Sequence, residues 1–530
     1  SPRNLVVPGV FLTIVLITIS PSLCLPTAWD DLVYHVVLPA RWLAEGYPAV
    51  YPDLVYSGFP ALPEHLFWLM APVDLHIAAR FLVYCVWLLT LLLVYRLARR
   101  HTTRLMSVCI ALGLGLSRSL LLVSADVYVD GFVAANTAAL ALVLSTQPRR
   151  ALLSRRWAWV LIGVLCGGAA ATKLTGLAVS CLPVLWLLMC RDRRPEGWKN
   201  FRRSIVIAAV AGAVFIAPFY LRPFLATGDP FYPYFAWWFG GNPARMAMSH
   251  YHHEIGDANF GVRSLSTFFH APILMAISPN SYDGGYGYQM VLFLALCVGT
   301  ALHAFRRRRL RWLAPLGAAF LLYCFWFFTS QQARFLMPCA LLMAVSGVPW
   351  LRTWGKAGRT VLAGLLIVST IACFRYRMLA SYLYSWKCAG GAMRKVDYVY
   401  SATGDHYLLA FEAMLNIVPP NGRVLLLFEH RALYAPRDCL IGSPLFQERF
   451  LTPPDALRTP DDILKQLRGA GITHVLLATV AQGPDQRGDY LKRCLGMAEL
   501  LRQLVESGRL RQRWTSEKYD MYELAPPPSP

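Results

Sequence analysis

Two short stretches carry acids where acids are costly to place. TAWDDLVYH (27–35) sets Asp30 and Asp31 just after a run, Leu5–Leu25, that is apolar almost without a break. SADVYVDGF (124–132) sets Asp126 and Asp130 between two further apolar runs. Carboxylates at the mouths of apolar helices mark a site, because desolvation makes each one expensive. Held in position, such acids act as a general base or grip a divalent cation. Three bases stand near the same helix ends: Lys173 in AAATKLTG, Arg222, and Arg334 in QQARFLMP. A guanidinium forks onto carboxylate or phosphate oxygens, so Arg334 suits an anionic group. Tyr34 and His35 follow the first acid pair, and Glu64 lies further along the same segment.

The elements that must hold these residues are membrane helices. The chain has 530 residues, of which 56% are hydrophobic and 15% charged. Its mean hydropathy is +0.42. Soluble proteins carry roughly 25% charged residues. Eleven apolar runs, from 5–23 to 360–378, approach the length that crosses a bilayer. The first exceeds a signal-peptide core and reads as a membrane helix, with the Ser1 start pointing to processed or missing residues before it. The fold class expected is a polytopic α-helical membrane protein of about 11 transmembrane helices with a small C-terminal extracytoplasmic α/β domain.

Charge orients it. Of the 51 Lys and Arg, 33 precede residue 379, against 14 of the 30 acids. Of the net charge of +21, +19 therefore belongs to the membrane part, which argues against nucleic acid as a partner. Arg-rich loops (YRLARRHTTR, QPRRALLSRR, RDRRPEGWKNFRR, RRRRLR, LRTWGKAGR) separate alternate pairs of runs, and the positive-inside rule puts them in the cytoplasm. The loops 24–75 and 222–287, 12 of those 14 acids (all but Asp192 and Glu196) and the segment from 379 then face outside. Asp53, Asp74, Asp257 and Asp283 read as solvated loop residues. The outer loops are rich in aromatics, Pro and Gly, as in GDPFYPYFAWWFGGNP. Such rings form either an interfacial belt or a stacking surface for sugars.

Two domains are expected: 1–378 in the membrane and 379–530 outside. In the second, RVLLLF (423–428) and THVLLAT (473–479) read as buried strands, and 459–471 and 496–510 as helices. QRWTSEKYDMYEL (512–524) reads as a final strand, and APPPSP as a disordered tail. The 13 cysteines form no CxxC and no zinc spacing. Cys388, Cys439 and Cys494 are expected outside, where one pair can form a disulfide.

DDLVYHVVLPARWLAEG, DVYVDGF, ATKLTG, GDPFYPYF and QQARFLMP together resemble integral-membrane glycosyltransferases of the GT-C superfamily, over most of 5–378. Within it, the chain is similar to the bacterial protein O-mannosyltransferase and lipid A aminoarabinose transferase branch (family 39-like). The resemblance implies a sugar donor on polyprenyl phosphate and an acceptor hydroxyl on a lipid, glycan or protein. It implies inverting transfer at the outer face of a bacterial inner membrane. Asp30 matches the family's first acid and is the expected base, with Asp31 and Asp130 beside it as catalytic acids. Tyr34, His35, Glu64, Asp126, Lys173, Arg222 and Arg334 are expected to bind substrate, Lys173 and Arg334 near the donor phosphate. Some relatives use a divalent cation, so Mg or Mn on Asp30 and Asp130 is a further expectation. The chain has no WWDYG-type motif, which speaks against whole-glycan transfer to Asn. A polyprenyl-linked sugar transporter or flippase is the first alternative; it predicts mid-membrane charges and internal repeats, whereas here the charges sit at helix ends. An O-antigen-type ligase or polymerase is the second, resting on His250, His252 and His253 in MSHYHHEIGD.

Overall fold

The computed structural model describes residues 3–146, 155–189, 195–258, 263–278, 282–308, 312–373, 376–403, 407–448, 459–479 and 488–526. The Arg-rich stretches 147–154 and 190–194 lie outside these residues, as does most of the C-terminal tail. Five described helices are long and apolar enough to cross a bilayer: Leu62–Arg99, Lys199–Thr227, Gln289–Arg306, Ala333–Thr353 and Lys356–Cys373. A bent pair, Arg104–Gly115 and Arg118–Ala125, makes a sixth if it counts as one span. Shorter apolar helices, among them Asp130–Thr146, Arg156–Thr172 and Leu313–Phe328, fill the bundle.

Three local features aim the site. The run expected at 105–123 is bent by 70° after Gly115. Trp87 Nε1 donates to the freed Gly115 carbonyl at 3.2 Å, so the break leaves no orphan there. The bend carries the chain into Asp126 and the helix that starts at Asp130. Helix Arg156–Thr172 packs closely on the helix that ends at Thr227, because Gly163 sits against the Ala208 backbone, where a Cβ would collide. That contact fixes the end that delivers Lys173. The long helix Leu62–Arg99 is interrupted at Asp74, which is extended (φ −175°, ψ 106°). Asp74 Oδ1 accepts from the backbone N–H of His76 and Ile77 (3.0 and 3.1 Å) and so caps the second half. The span expected from residue 76 is this second half; the first half, from Leu62, was read as loop.

The C-terminal unit holds one five-stranded sheet: β1 (Arg423–Leu427), β2 (Asp438–Ile441), β3 (His474–Ala478), β4 (Leu510–Thr515) and β5 (Tyr519–Leu524). The order is β2-β1-β3-β5-β4. β1 pairs in parallel with β2 and β3, and β5 runs antiparallel to β3 and β4. The strand expected over 512–524 is thus two strands of a hairpin. Helix Pro460–Gly469 begins at a capping box between Thr459 and Asp462.

The segment around residues 32–55 and the sheet share one apolar core. Trp42, Leu54 and Val55, at most 1% exposed, belong to the same buried cluster as Leu425, Phe446 and Tyr519. Burying side chains of this size stabilises by about 1.5–3 kcal/mol each. Backbone bonds join the two parts: Val55 N–H to Phe446 O (2.9 Å), Glu448 N–H to Pro52 O (2.7 Å) and Leu433 N–H to Leu32 O (3.2 Å). Arg41 grips both oxygens of Asp53 (3.1 and 2.9 Å) and reaches the Cys439 carbonyl. Asp53 is therefore a buried ion-pair partner and not a solvated loop residue.

Candidate functional site

Asp30 leads into a π-helical turn, Asp31–His35. Its Oδ2 lies 2.9 Å from Arg334 Nη1. Arg334 Nε lies 3.9 Å from Asp130 Oδ2, and Lys173 Nζ donates to Asp130 Oδ1 at 3.0 Å. Four residues from four separate segments thus alternate in charge: Asp30, Arg334, Asp130, Lys173. All are largely buried. A shared cation is the arrangement that makes two buried carboxylates tolerable.

The cations are held from behind. Arg334 Nε and Nη2 donate to Gln332 Oε1 (3.3 and 3.1 Å), and its guanidinium lies 4.4 Å from the Tyr128 ring. Lys173 Nζ lies 3.5 Å from the Phe335 ring centre. Lys173 is extended, past the end of its helix. The chain then turns back through a Gly176 N–H bond to Lys173 O (2.8 Å). A Cβ at Gly176 would collide with the Ala169 carbonyl, so only glycine permits this return.

A small cleft opens beside the chain of charges. Asp130 and Arg334 form its polar end, and Thr175, Thr329 and Ser330 add hydroxyls. Val133, Leu322, Phe325 and Pro338, on membrane-helix segments, form apolar walls. Such a cavity suits an anionic head on an apolar chain.

Asp31 and Asp126 stand apart from this set. Both Asp31 oxygens accept from the Val127 N–H at 3.0 Å. Asp126 Oδ1 pairs with Arg80 Nη2 at 2.9 Å and accepts from Thr27 Oγ1 at 3.2 Å. Arg80, 1% exposed, also donates to the carbonyls of Ala125, Cys24 and Leu25. Burial, then the nearby Asp126 charge, raises the Asp31 pKa well above the usual carboxylate value.

His35 Nδ1 and Glu64 Oε1 are 2.5 Å apart, and Glu64 Oε2 is buried without a partner among the described residues. Arg222 Nη2 donates to the carbonyls of Ser57 and Phe59 (both 2.8 Å), while its Nε and Nη1 are buried without a hydrogen-bond partner among the described residues. These two residues keep polar capacity in reserve. Tyr34 stacks on Tyr56 at 4.6 Å. From there an aromatic wall continues through Trp29, His252, Phe446 and His430. Burial lowers the pKa of His252 and His430 to about 4, so both are neutral at pH 7. His253 Nε2 lies 2.7 Å from Tyr234 O.

Sequence reasoning missed Arg80, Gln332, Tyr128 and Phe335. Arg80 had a signal, a single arginine in an otherwise apolar run. The other three are uncharged and become supports only once the chain has folded.

No group of three His, Cys, Asp or Glu able to hold a metal occurs among the described residues. Asp30 and Asp130 flank the Arg334 guanidinium, which already supplies their positive partner. The set does not fit a resident divalent ion, and no step below uses one.

The fold is that of the crystal structure of ArnT from Cupriavidus metallidurans bound to undecaprenyl phosphate, with a TM-score of 0.62 at 15% identity, covering 98% of each chain. It is also similar to the archaeal oligosaccharyltransferase AglB from Archaeoglobus fulgidus in complex with an inhibitory peptide and a dolichol-phosphate (TM-score 0.51, 13% identity, 99% of this chain and 74% of that one). A third match is the Archaeoglobus fulgidus oligosaccharyltransferase in complex with Zn and sulfate (TM-score 0.52, 14% identity, 88% and 67%). ArnT and AglB are GT-C proteins, so the resemblance read from the motifs holds at the level of fold. No curated protein matches the chain in sequence. The family described as a domain of unknown function (DUF8201) matches residues 6–341, and the chain belongs to it.

Proposed function

We propose that this integral membrane protein is a glycosyltransferase that moves a sugar from a polyprenyl-phosphate donor to an acceptor hydroxyl at the outer face. The observation that carries this reading is the alternating set Asp30–Arg334–Asp130–Lys173 at the polar end of an apolar-walled cleft. ArnT binds undecaprenyl phosphate and AglB a dolichol-phosphate on the same fold, which supports a lipid-linked donor here. The arginine-rich loops support an outward-facing site. In this reading residues 379–530 form an outer domain that shares its core with the segment around Trp42 and Val55.

In the reaction, Asp30 accepts the proton of the acceptor hydroxyl as its oxygen attacks the anomeric carbon. The bond from that carbon to the phosphate oxygen breaks, and the electron pair leaves with the phosphate. Arg334 and Lys173 offset the charge that develops there. Asp130 holds both cations in place and limits their attraction for the resting phosphate. Glu64 and Arg222, with buried atoms that have no hydrogen-bond partner among the described residues, have the capacity to bind sugar hydroxyls. Asp31 and Asp126 support the site from behind instead of touching substrate, which departs from the direct roles expected for them.

The test is release of sugar from a panel of radiolabelled polyprenyl-phosphate sugars by purified protein. Release is expected for at least one donor with wild type, and Arg334→Ala should lose it through weaker donor use. No release, together with no binding of any of these lipids, overturns the reading.

A further inference from the structure

Cys24 and Cys388 belong to no step above, yet the fold brings them together. Cys24 follows the 3₁₀ turn Ser20–Leu23. Cys388 lies in helix Tyr376–Ala389, beyond the last apolar span. Cys24 Sγ is 3.2 Å from Ser385 O. Ser385 precedes Cys388 by one helical turn, so both present the same face. Each thiol lies within the electrostatic reach of the other, and Cys24 Sγ touches the helix one turn before Cys388. They are 3% and 9% exposed. Ser20 Oγ donates to Tyr382 O at 3.2 Å, so the contact continues along the helix.

Cys24 also begins the strut that carries Asp30. Arg80 grips the carbonyls of Cys24 and Leu25. Tyr434 Oη donates to Pro26 O at 2.7 Å, and Thr27 reaches Asp126. Each residue from 24 to 27 is thus tied down ahead of Asp30.

We propose that Cys24 and Cys388 are joined as a disulfide in the mature protein, stapling the Asp30 strut to the helix that leads into the C-terminal unit. The inference rests on the outer-face reading, since disulfides persist in oxidising compartments outside the cytoplasm. The oxidant is the disulfide of a thiol–disulfide oxidoreductase. One cysteine thiolate attacks that disulfide and forms a mixed disulfide, expelling a thiolate. The second cysteine thiolate attacks the mixed disulfide and expels the other. The two cysteines lose two protons and two electrons, and the oxidoreductase ends as a dithiol. Burial pushes the Cys24 thiol up to about 12. Its thiolate is scarce once folded, so exchange belongs to the folding chain, before the pair is covered.

The experiment traps native membranes with N-ethylmaleimide in denaturant and maps peptides without reduction. The expected result is a Cys24 peptide linked to a Cys388 peptide, separated by reductant. Both cysteines carrying maleimide overturns the disulfide. An Arg511→Cys variant, in a Cys24→Ser/Cys388→Ser background, then identifies which premise failed. Labelling of that exposed position by a membrane-impermeant maleimide in intact cells keeps the outer-face reading and rejects the pair alone. Failure to label rejects the reading beneath it. Cys24→Ser and Cys388→Ser should each lower the melting temperature by several degrees, and the double variant by no more. Additive losses would count against a single shared bond.

Discussion

Asp30 and Asp31 are adjacent in sequence, of the same type and both buried, yet they belong to different machines. Asp30 meets Arg334, which also meets Asp130, Gln332 and the Tyr128 ring and lines an open cleft. Asp31 meets a backbone amide and lies in the field of Asp126 and Arg80, whose partners are carbonyls of the strut. The first set has charges with one side left for a ligand. The second is a closed knot in which Arg80 ties two chain segments, 24–25 and 125–126, to its own helix. In the proposed reaction one carboxylate set exchanges partners, and the other keeps the first in place. Acid type and burial do not separate them; what each oxygen touches does.

The sharpest way to break this contrast is Asp30→Asn. Asparagine keeps the shape and removes the base, so sugar transfer should fall by about 10²–10⁴-fold, the usual worth of general base catalysis. Yield and melting temperature should stay close to wild type, because Arg334 keeps Asp130 and Gln332. Initial rates with a saturating donor check it, and wild-type rates would remove Asp30 from the chemistry. Next in size is Arg80→Ala. Cutting one partner out of a buried pair leaves Asp126 uncompensated, at a cost of about 3–5 kcal/mol. Thermal denaturation followed by loss of monodisperse protein should show a large drop. A variant as stable as wild type would mean that the knot does not hold the strut.

These two residues also show what the sequence could and could not reveal. Asp30, Asp130, Lys173 and Arg334 were legible because each is an ionisable residue at the end of an apolar run on one face. Their convergence was not, since it depends on the bend after Gly115 and the return at Gly176. Asp31 was grouped with Asp30 because neighbours share a motif; only the turn geometry sends the two side chains to different partners. Arg80 was hidden by the apolar run around it. In the C-terminal unit, β1 and β3 were legible as apolar runs of five residues. The four-residue β2 was too short to signal, and the hairpin β4–β5 read as one strand because its turn carries no glycine or proline. The sharing of one core by the segment around residues 32–55 and the sheet leaves no mark in a linear pattern.

Arg334→Lys asks how much of the first set is geometry. Lysine retains the charge but not the fork that reaches Asp30, Asp130 and Gln332 together. Transfer should fall by about tenfold, with the loss concentrated in KM for the donor. A loss confined to kcat would show that the fork matters for the leaving phosphate and not for its binding.

The smallest effect is expected at Asp31→Asn, and it is the one that separates the two sets most cleanly. Asparagine still offers an oxygen to the Val127 N–H, so transfer should stay within about threefold of wild type, in contrast to the same change one residue earlier. The pH dependence should differ. Burial holds the Asp31 pKa above its unfolded value. Between those two values the folded state binds more protons than the unfolded one, so this group makes the protein more stable as pH falls towards 4. His252 and His430 act in the opposite sense. Their folded pKa of about 4 lies below the unfolded one, so stability is lost as pH falls from about 6.5. Removing the Asp31 carboxyl leaves the histidine contribution unopposed. Melting temperatures measured between pH 7 and pH 4.5 should therefore fall more steeply for Asp31→Asn than for wild type. Parallel curves would mean that Asp31 is ionised in the folded protein with its charge fully compensated, and that the knot holds a charge as readily as the site does.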